Sequence, residues 1–248
     1  MSLKNKLKIF IIATVIILFV FYSKFISVEN CNEIFKRVIH NALIMQNMKY
    51  NIHFVNVNHS ILSKSNCFIM SNHTNGVDFM ILHDIFTSNT DASIHAIVKH
   101  DLVGNNIDKT FIQKLLSYIK NSFYSAFNFI PYERENRESG IVVQNQIVDI
   151  VKNIKTNIII FPEGQCSRSG IPTKFKHGSF ILAADNNIGI IPVSIKYKIN
   201  IGKDRKDPDN VNDWFDNTID VYIYDVVYNS DPKKLESIVF DKIREKLI

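Results

Sequence analysis

The chain's apolar pattern begins with an uncharged run of fourteen residues, Ile9 to Tyr22, preceded by Lys4, Lys6 and Lys8. Fourteen helical residues rise only about 21 Å, against about 30 Å of bilayer hydrocarbon. Continuing to Val28 would reach across if Lys24 snorkels to the interface. Three readings follow: a spanning anchor, a helix dipped into one leaflet, or a cleaved signal peptide. The last lacks a small-residue cleavage site. The next segment, "NEIFKRVIHNALIMQNM", places Ile34, Phe35, Val38, Ile39, Leu43 and Ile44 at helical spacing, with Lys36 and Arg37 on another side. It predicts an amphipathic helix that either packs on its own domain or lies on a membrane.

From Tyr50 onward, short apolar runs alternate with helical patterns. The expected strands are "NIHFVNV", "CFIM", "SIHAIV", "FNFI", "NIIIF", "IGIIPVSIKY" and "IDVYIYDVVY". The expected helices lie near Phe79–Phe86, Phe111–Lys120, Ser139–Lys152, Ser179–Asp185 and Lys233–Leu247. Such alternation predicts an α/β fold with a mostly parallel central sheet flanked by helices. The natural division is an N-terminal membrane-associating part, residues 1–49, and a catalytic part, residues 50–248. In such sheets function gathers in the loops past the strands' carboxyl ends. "SNHTNGVD" follows "CFIM" and "PEGQCSRSG" follows "NIIIF", so both loops are expected at one edge.

Composition narrows the classes. Hydrophobic residues are 46% of 248, with 18 Phe, enough for a large core, while only 8 Gly and 6 Pro argue against a long disordered linker. The formal charge of +5 is diffuse, which disfavours a nucleic-acid partner and suits anionic lipid or a phosphorylated substrate. Cys31, Cys67 and Cys166 are odd in number and form no C-x-x-C, so neither a disulfide framework nor a zinc site is expected, and the thiols read as reduced and cytosol-facing.

Four stretches carry candidate chemistry. In "SNHTNGVDF", a straight helix would leave His73 and Asp78 about 140° apart, so the chain must bend for them to meet. Asn75 and Gly76 tolerate the positive φ of such a bend. Asp78 would then begin or cap the helix "FMILHDIF" and point back at the imidazole. A carboxylate on one ring nitrogen fixes the tautomer and raises the basicity of the other, and a substrate hydroxyl can then serve as nucleophile. Alone the pair is weak: with eight histidines, one such spacing arises by chance about one time in three. The alternative is a polar turn with a solvated His73. In "IIIFPEGQCSRSGIPTKFKHGSF", Pro162 ends a strand, Glu163-Gly164 opens a polar loop, and Arg168, Lys174, Lys176 and His177 precede a helix start at Gly178-Ser179. That set makes either a phosphate cradle or an ordinary solvated loop. In "FNFIPYERENRES", Arg134 and Arg137 either grip phosphate or pair with Glu133 or Glu138. In "IGIIPVSIKY", Pro192 implies an edge strand or a bulge.

In this order and spacing the four stretches resemble the glycerolipid acyltransferase family, over roughly Asn51 to Tyr197. Its N-H-x4-D motif is matched by Asn72, His73 and Asp78. Its second motif, an apolar stretch ending near an arginine, is matched by "FIPYER" and Arg134. Its F-P-E-G-T-R-S motif is matched by Phe161, Pro162, Glu163 and Gly164, with Gln165 and Cys166 standing where the family has threonine and arginine. Its proline-centred strand is matched by "IIPVSI". The resemblance implies acyl transfer from acyl-CoA or an acyl carrier protein to a lysophospholipid hydroxyl, 1-acylglycerol-3-phosphate foremost, at a bilayer. It implies His73 as general base oriented by Asp78, no acyl-enzyme, no cofactor and no metal. Glu163, Gly164, Arg168, Arg134 and Lys99 are the expected substrate-binding residues, with Lys99 or backbone N–H groups beside Gly76 or Gly164 as oxyanion donors. Arg168 is the nearest substitute for the arginine that Cys166 replaces. The implied location is a membrane, held by the N-terminal apolar helix, with the catalytic domain facing the cytosol.

Two other classes bear weighing. A catalytically inactive lipid-binding relative would be consistent with Cys166 and the altered second motif. A serine or thioester hydrolase lacks its G-x-S-x-G, since "HGSF" has no second glycine. His95 and His100 share x4 spacing without further ligands and are expected to be structural.

Overall fold

A computed structural model describes residues 3–22, 25, 27–90, 92–99, 128–132, 137–167, 169–198 and 217–248. Seven strands form one sheet: β1 Lys49–Val55, β2 Cys67–Ser71, β3 Ser93–Lys99, β4 Phe129–Tyr132, β5 Thr156–Ile160, β6 Gly189–Tyr197 and β7 Thr218–Tyr224. Their order is β1-β7-β6-β2-β5-β3-β4. All neighbours are parallel except β6 and β7. Each expected strand is found, and the α/β, mostly parallel class with it.

The central strands carry no polar alternation because both sheet faces are covered. β2 and β5 are buried along their whole length. On β2, Cys67 and Ile69 face one core while Phe68 and Met70 face the other; on β5, Ile159 opposes Ile158 and Ile160. Each such aliphatic side chain contributes about 1.5–3 kcal/mol on burial. The first core is closed by α1 Leu3–Tyr22, α2 Val28–Met45 and α3 Val77–Thr87, through Phe19, Phe35, Ile39, Leu43, Ile81 and Leu82. The second is closed by α4 Arg137–Asn153, α5 Gly178–Asp185 and α6 Pro232–Glu245, through residues such as Ile147, Phe180, Leu235 and Val239. Helix ends follow local chemistry. Ser27 caps α2 by accepting the Asn30 N–H. Asp231 caps α6, with Pro232 in its first turn and Lys242 and Arg244 in its last.

Some expectations change. The N-terminal helix forms, but among the described residues no helix is long and apolar enough to cross a membrane. The transmembrane expectation is therefore corrected: α1 begins at Leu3 and draws Lys4, Lys6 and Lys8 into its first turns. Of the two readings of α2, packing is what the structure shows, with the Phe35 ring 6.3 Å from Phe19 and 4.5 Å from His83. Pro192 lies in a central strand, opposite Met70 of β2. On its other side the β6–β7 ladder begins at Val193 and an isolated bridge joins Ile190 to Val227. Ile191 and Pro192 thus face three residues, Tyr224 to Val226. This is a bulge, and the proline's missing N–H falls in its gap. The helix expected at Phe111–Lys120 lies outside the described residues.

Candidate active site

β2 and β5 are parallel neighbours, paired Phe68↔Ile158 to Met70↔Ile160, so the loops after them open side by side. The His73 Nδ1–H donates to Asp78 Oδ2 at 3.0 Å. The bend that brings them together is not built from positive φ. Gly76 has φ −62 and caps α3 in the helical region, and neither it nor Asn75 is among the left-handed residues. Instead the Asn75 Oδ1 accepts the Val77 N–H at 2.8 Å, and the Asn75 carbonyl accepts the Asp78 N–H at 3.2 Å. Asp78, in the first turn of α3, turns its carboxylate back along the chain. Its Oδ2 also accepts the N–H groups of Thr74 at 2.5 Å and Asn75 at 2.8 Å, and its Oδ1 accepts the Tyr197 hydroxyl.

Four histidines lie against carboxylates among the described residues: His40 with Asp84, His53 with Asp220, His73 with Asp78 and His177 with Glu236. The pairing alone does not mark a site. His40, His53 and His177 keep 57%, 45% and 39% of their side-chain exposure, as ordinary surface rings do. His73 keeps 19%, and its partner Asp78 keeps none. That ring is sheltered, oriented, and still reachable.

The loop after β5 holds His73 at three points. Glu163 Oε1 accepts the His73 N–H at 2.9 Å, and the Ser167 N–H donates to the His73 carbonyl at 2.6 Å. The Phe161 ring stacks on the imidazole, with centroids 4.0 Å apart and planes 14° apart. One residue earlier, Asn72 is clamped to β6: its Oδ1 accepts the Ile195 N–H at 2.8 Å and its Nδ2 donates to the Ile195 carbonyl at 2.9 Å. Its amide thus continues the ladder past the end of β2. Burial raises the Glu163 carboxyl from the usual 4.5 to about 7, with Asp78 adding to the rise and the His73 N–H opposing it.

The remaining expected residues fall as follows. Gly164 takes φ +70 and its N–H donates to the Phe161 carbonyl at 2.9 Å, so that amide is already engaged. A Cβ there would meet Lys176 Cε and Nζ at 2.7 Å, which places the Lys176 ammonium on the Glu163-Gly164 turn. Lys99 ends β3 at the same sheet edge. Arg134 and Arg168 lie outside the described residues. Cys166 is partly exposed, and none of the three cysteines is in a disulfide. His95 donates or accepts at Thr156 Oγ1, 2.9 Å away, and burial lowers its pKa to about 4, in keeping with a structural residue; His100 lies outside the described residues. Motif spacing missed Tyr197 and gave no role to Phe161 beyond its place in the pattern.

Among the described residues the arrangement supplies an imidazole base with its tautomer fixed by a buried carboxylate. The acyltransferase family profile matches residues 49–196. No curated protein matches the chain. Among solved structures, the 1-acyl-sn-glycerophosphate (LPA) acyltransferase PlsC from Thermotoga maritima is similar in fold, with a TM-score of 0.67 and 19% identity over 98% of this chain and 92% of that one.

Proposed function

Because the chain belongs to the acyltransferase family, we propose that it moves a fatty acyl group from acyl-CoA, or an acyl carrier protein, to the free hydroxyl of a lysophospholipid. The acceptor proposed first is 1-acylglycerol-3-phosphate, giving phosphatidic acid. The observation that carries the reading is the 3.0 Å contact between His73 Nδ1 and a fully buried Asp78. With Nδ1–H held by the carboxylate, Nε2 is the free base. It takes the acceptor's hydroxyl proton as the oxygen attacks the thioester carbonyl directly. The N–H groups of Asn75, Val77 and Gly164 are already engaged, so Lys99 and the Gly76 N–H are the donors proposed for the tetrahedral oxyanion; one such donor is worth about 3–4 kcal/mol. Collapse breaks the C–S bond, and the thiolate leaves with the proton that His73 had taken. No acyl-enzyme, metal or cofactor is invoked.

Glu163, Arg134 and Arg168 position the acceptor headgroup, with Lys176 now added on the Glu163-Gly164 turn. Cys166, in the family arginine's place, favours a second acceptor assignment, another lysophospholipid whose phosphate diester carries less charge; glycerol 3-phosphate, a phosphate monoester like the first acceptor, is the remaining alternative. The bilayer is reached through α1, whose Phe10, Leu18 and Tyr22 are exposed by 68%, 63% and 56% and suit insertion into one leaflet, with the catalytic domain on the cytosolic side.

The test is labelled acyl-CoA with membranes carrying the protein and a panel of lysophospholipids and glycerol 3-phosphate. Transfer to one acceptor class, lost in His73→Ala while the protein stays folded, is the expected result. A variant with near-normal turnover removes the base assignment. Wild-type protein that binds lysolipid but transfers nothing is the inactive relative.

A further inference from the structure

Among the described residues the Asp78 carboxylate accepts four hydrogen bonds, and they are unevenly shared. Oδ2 takes three, from His73 Nδ1–H and the N–H groups of Thr74 and Asn75. Among the described residues Oδ1 takes one, from the Tyr197 hydroxyl, which also lies 3.1 Å from Asn75 Oδ1. Tyr197 is the last residue of β6, half-buried, and 119 positions from Asp78 in sequence. The two meet because β2 and β6 pair in parallel, Cys67↔Gly189 to Ser71↔Val193, so the end of β6 runs on beside the loop that carries His73. Asn72, paired to Ile195, holds that loop against the same stretch of β6.

We propose that Tyr197 is a positioning residue for the acyl transfer: its hydroxyl locks the plane of the Asp78 carboxylate and thereby sets both the direction and the basicity of His73. The inference rests on the acyltransferase reading for its rate effects, but not for its effect on the imidazole. A carboxylate turns readily about its last bond, because that torsion is broad. Three donors on one oxygen leave the plane free to pivot about it, and a donor on the other oxygen stops the pivot. A hydroxyl donating to a carboxylate is also a strong, charge-assisted bond that draws negative charge toward Oδ1. Less of that charge is then felt at the His73 Nδ1–H, so the imidazolium is stabilised less than it would be by an unshared carboxylate.

Two substitutions move this balance in opposite directions. Glu163, on the His73 N–H, is a second group that titrates at about 7 against this residue, with Lys176 on its turn, so the midpoints are compared in a Glu163→Gln background. Tyr197→Phe deletes the donor, and the His73 titration midpoint, followed by NMR of histidine-labelled protein and assigned with His73→Ala, should rise. Site-specific 3-fluorotyrosine at position 197 keeps the ring nearly the same size but makes the hydroxyl a stronger donor, and the midpoint should fall. In the transfer assay, Tyr197→Phe should lower kcat about tenfold with both KM values within about twofold, and should move the acid limb of the kcat–pH profile upward. In an Asp78→Asn background the same change should cost little more, since the two residues act as one unit. A purely structural tyrosine would lower thermal stability without moving the midpoint or the limb, and its effect would add to that of Asp78→Asn. An unmoved midpoint in both the phenylalanine and the fluorotyrosine proteins overturns the proposal. Wild-type protein without transfer activity would sink the acyltransferase reading and leave the midpoint test standing.

Discussion

Glutamine in place of Glu163 should make the folded protein more stable at alkaline pH and nearly unchanged at acid pH. Glu163 accepts the His73 N–H at 2.9 Å and is only partly in contact with solvent. Burial is the main reason that its carboxyl ionises at about 7 rather than the usual 4.5. Between those pH values the folded chain holds a proton that the unfolded chain has released. The carboxyl's contribution is therefore fully present below about pH 4.5 and is lost as the pH rises through about 7. At about 1.36 kcal/mol per pH unit the loss would approach about 3 kcal/mol, and solvent access to the side chain reduces it to about 2 kcal/mol. Glutamine has no proton to release, and its carbonyl oxygen can still accept the His73 N–H. Urea unfolding of wild type and Glu163→Gln, followed by circular dichroism in detergent from about pH 4.5 to about pH 8, measures the difference directly. The curves should meet at the acid end, and the variant should lead by about 2 kcal/mol at the alkaline end. A stability difference that is flat across the range, or that favours wild type as pH rises, refutes the claim that burial holds this carboxyl protonated.

Two further outcomes follow from the same loops. Asn72→Ala strips the side chain that satisfies both the N–H and the carbonyl of Ile195 inside the fold, and should cost about 2–4 kcal/mol in a melting experiment; a loss under about 1 kcal/mol would mean that water replaces the clamp. Cys166→Arg restores the family residue beside Ser167, whose N–H is already bonded to His73, and should lower KM several-fold for phosphate-bearing acceptors while leaving the acyl donor's KM alone; an unchanged acceptor KM would mean that the headgroup does not reach this loop.

Elements were legible wherever the information is local. Buried parallel strands appear as β-branched runs such as "NIIIF", and the helix expected near Lys233–Leu247 is α6, Pro232–Glu245. His73 and Asp78 were legible as candidate partners because only four residues separate them and one turn brings them together. Local reading erred, or stayed open, where two local solutions exist. A bend at Asn75-Gly76 suggested positive φ, yet the Asn75 side chain makes the turn with ordinary dihedrals. Pro192 allowed an edge or a bulge, and only the Ile190–Val227 bridge beyond the β6–β7 ladder decides for the bulge.

By itself, then, the sequence determined the α/β class and the strands, because periodicity is a property of neighbouring residues, and it offered the His73–Asp78 pair as one of two readings of a polar turn, which the structure decided. The tertiary structure alone decided which strands adjoin, that Phe161 and Glu163 would grip His73, and that Tyr197 would reach across to Asp78. Those contacts join residues some 90 to 119 positions apart. They exist only once the registers of β2 against β5 and β6 are set, and no window along the chain contains both partners.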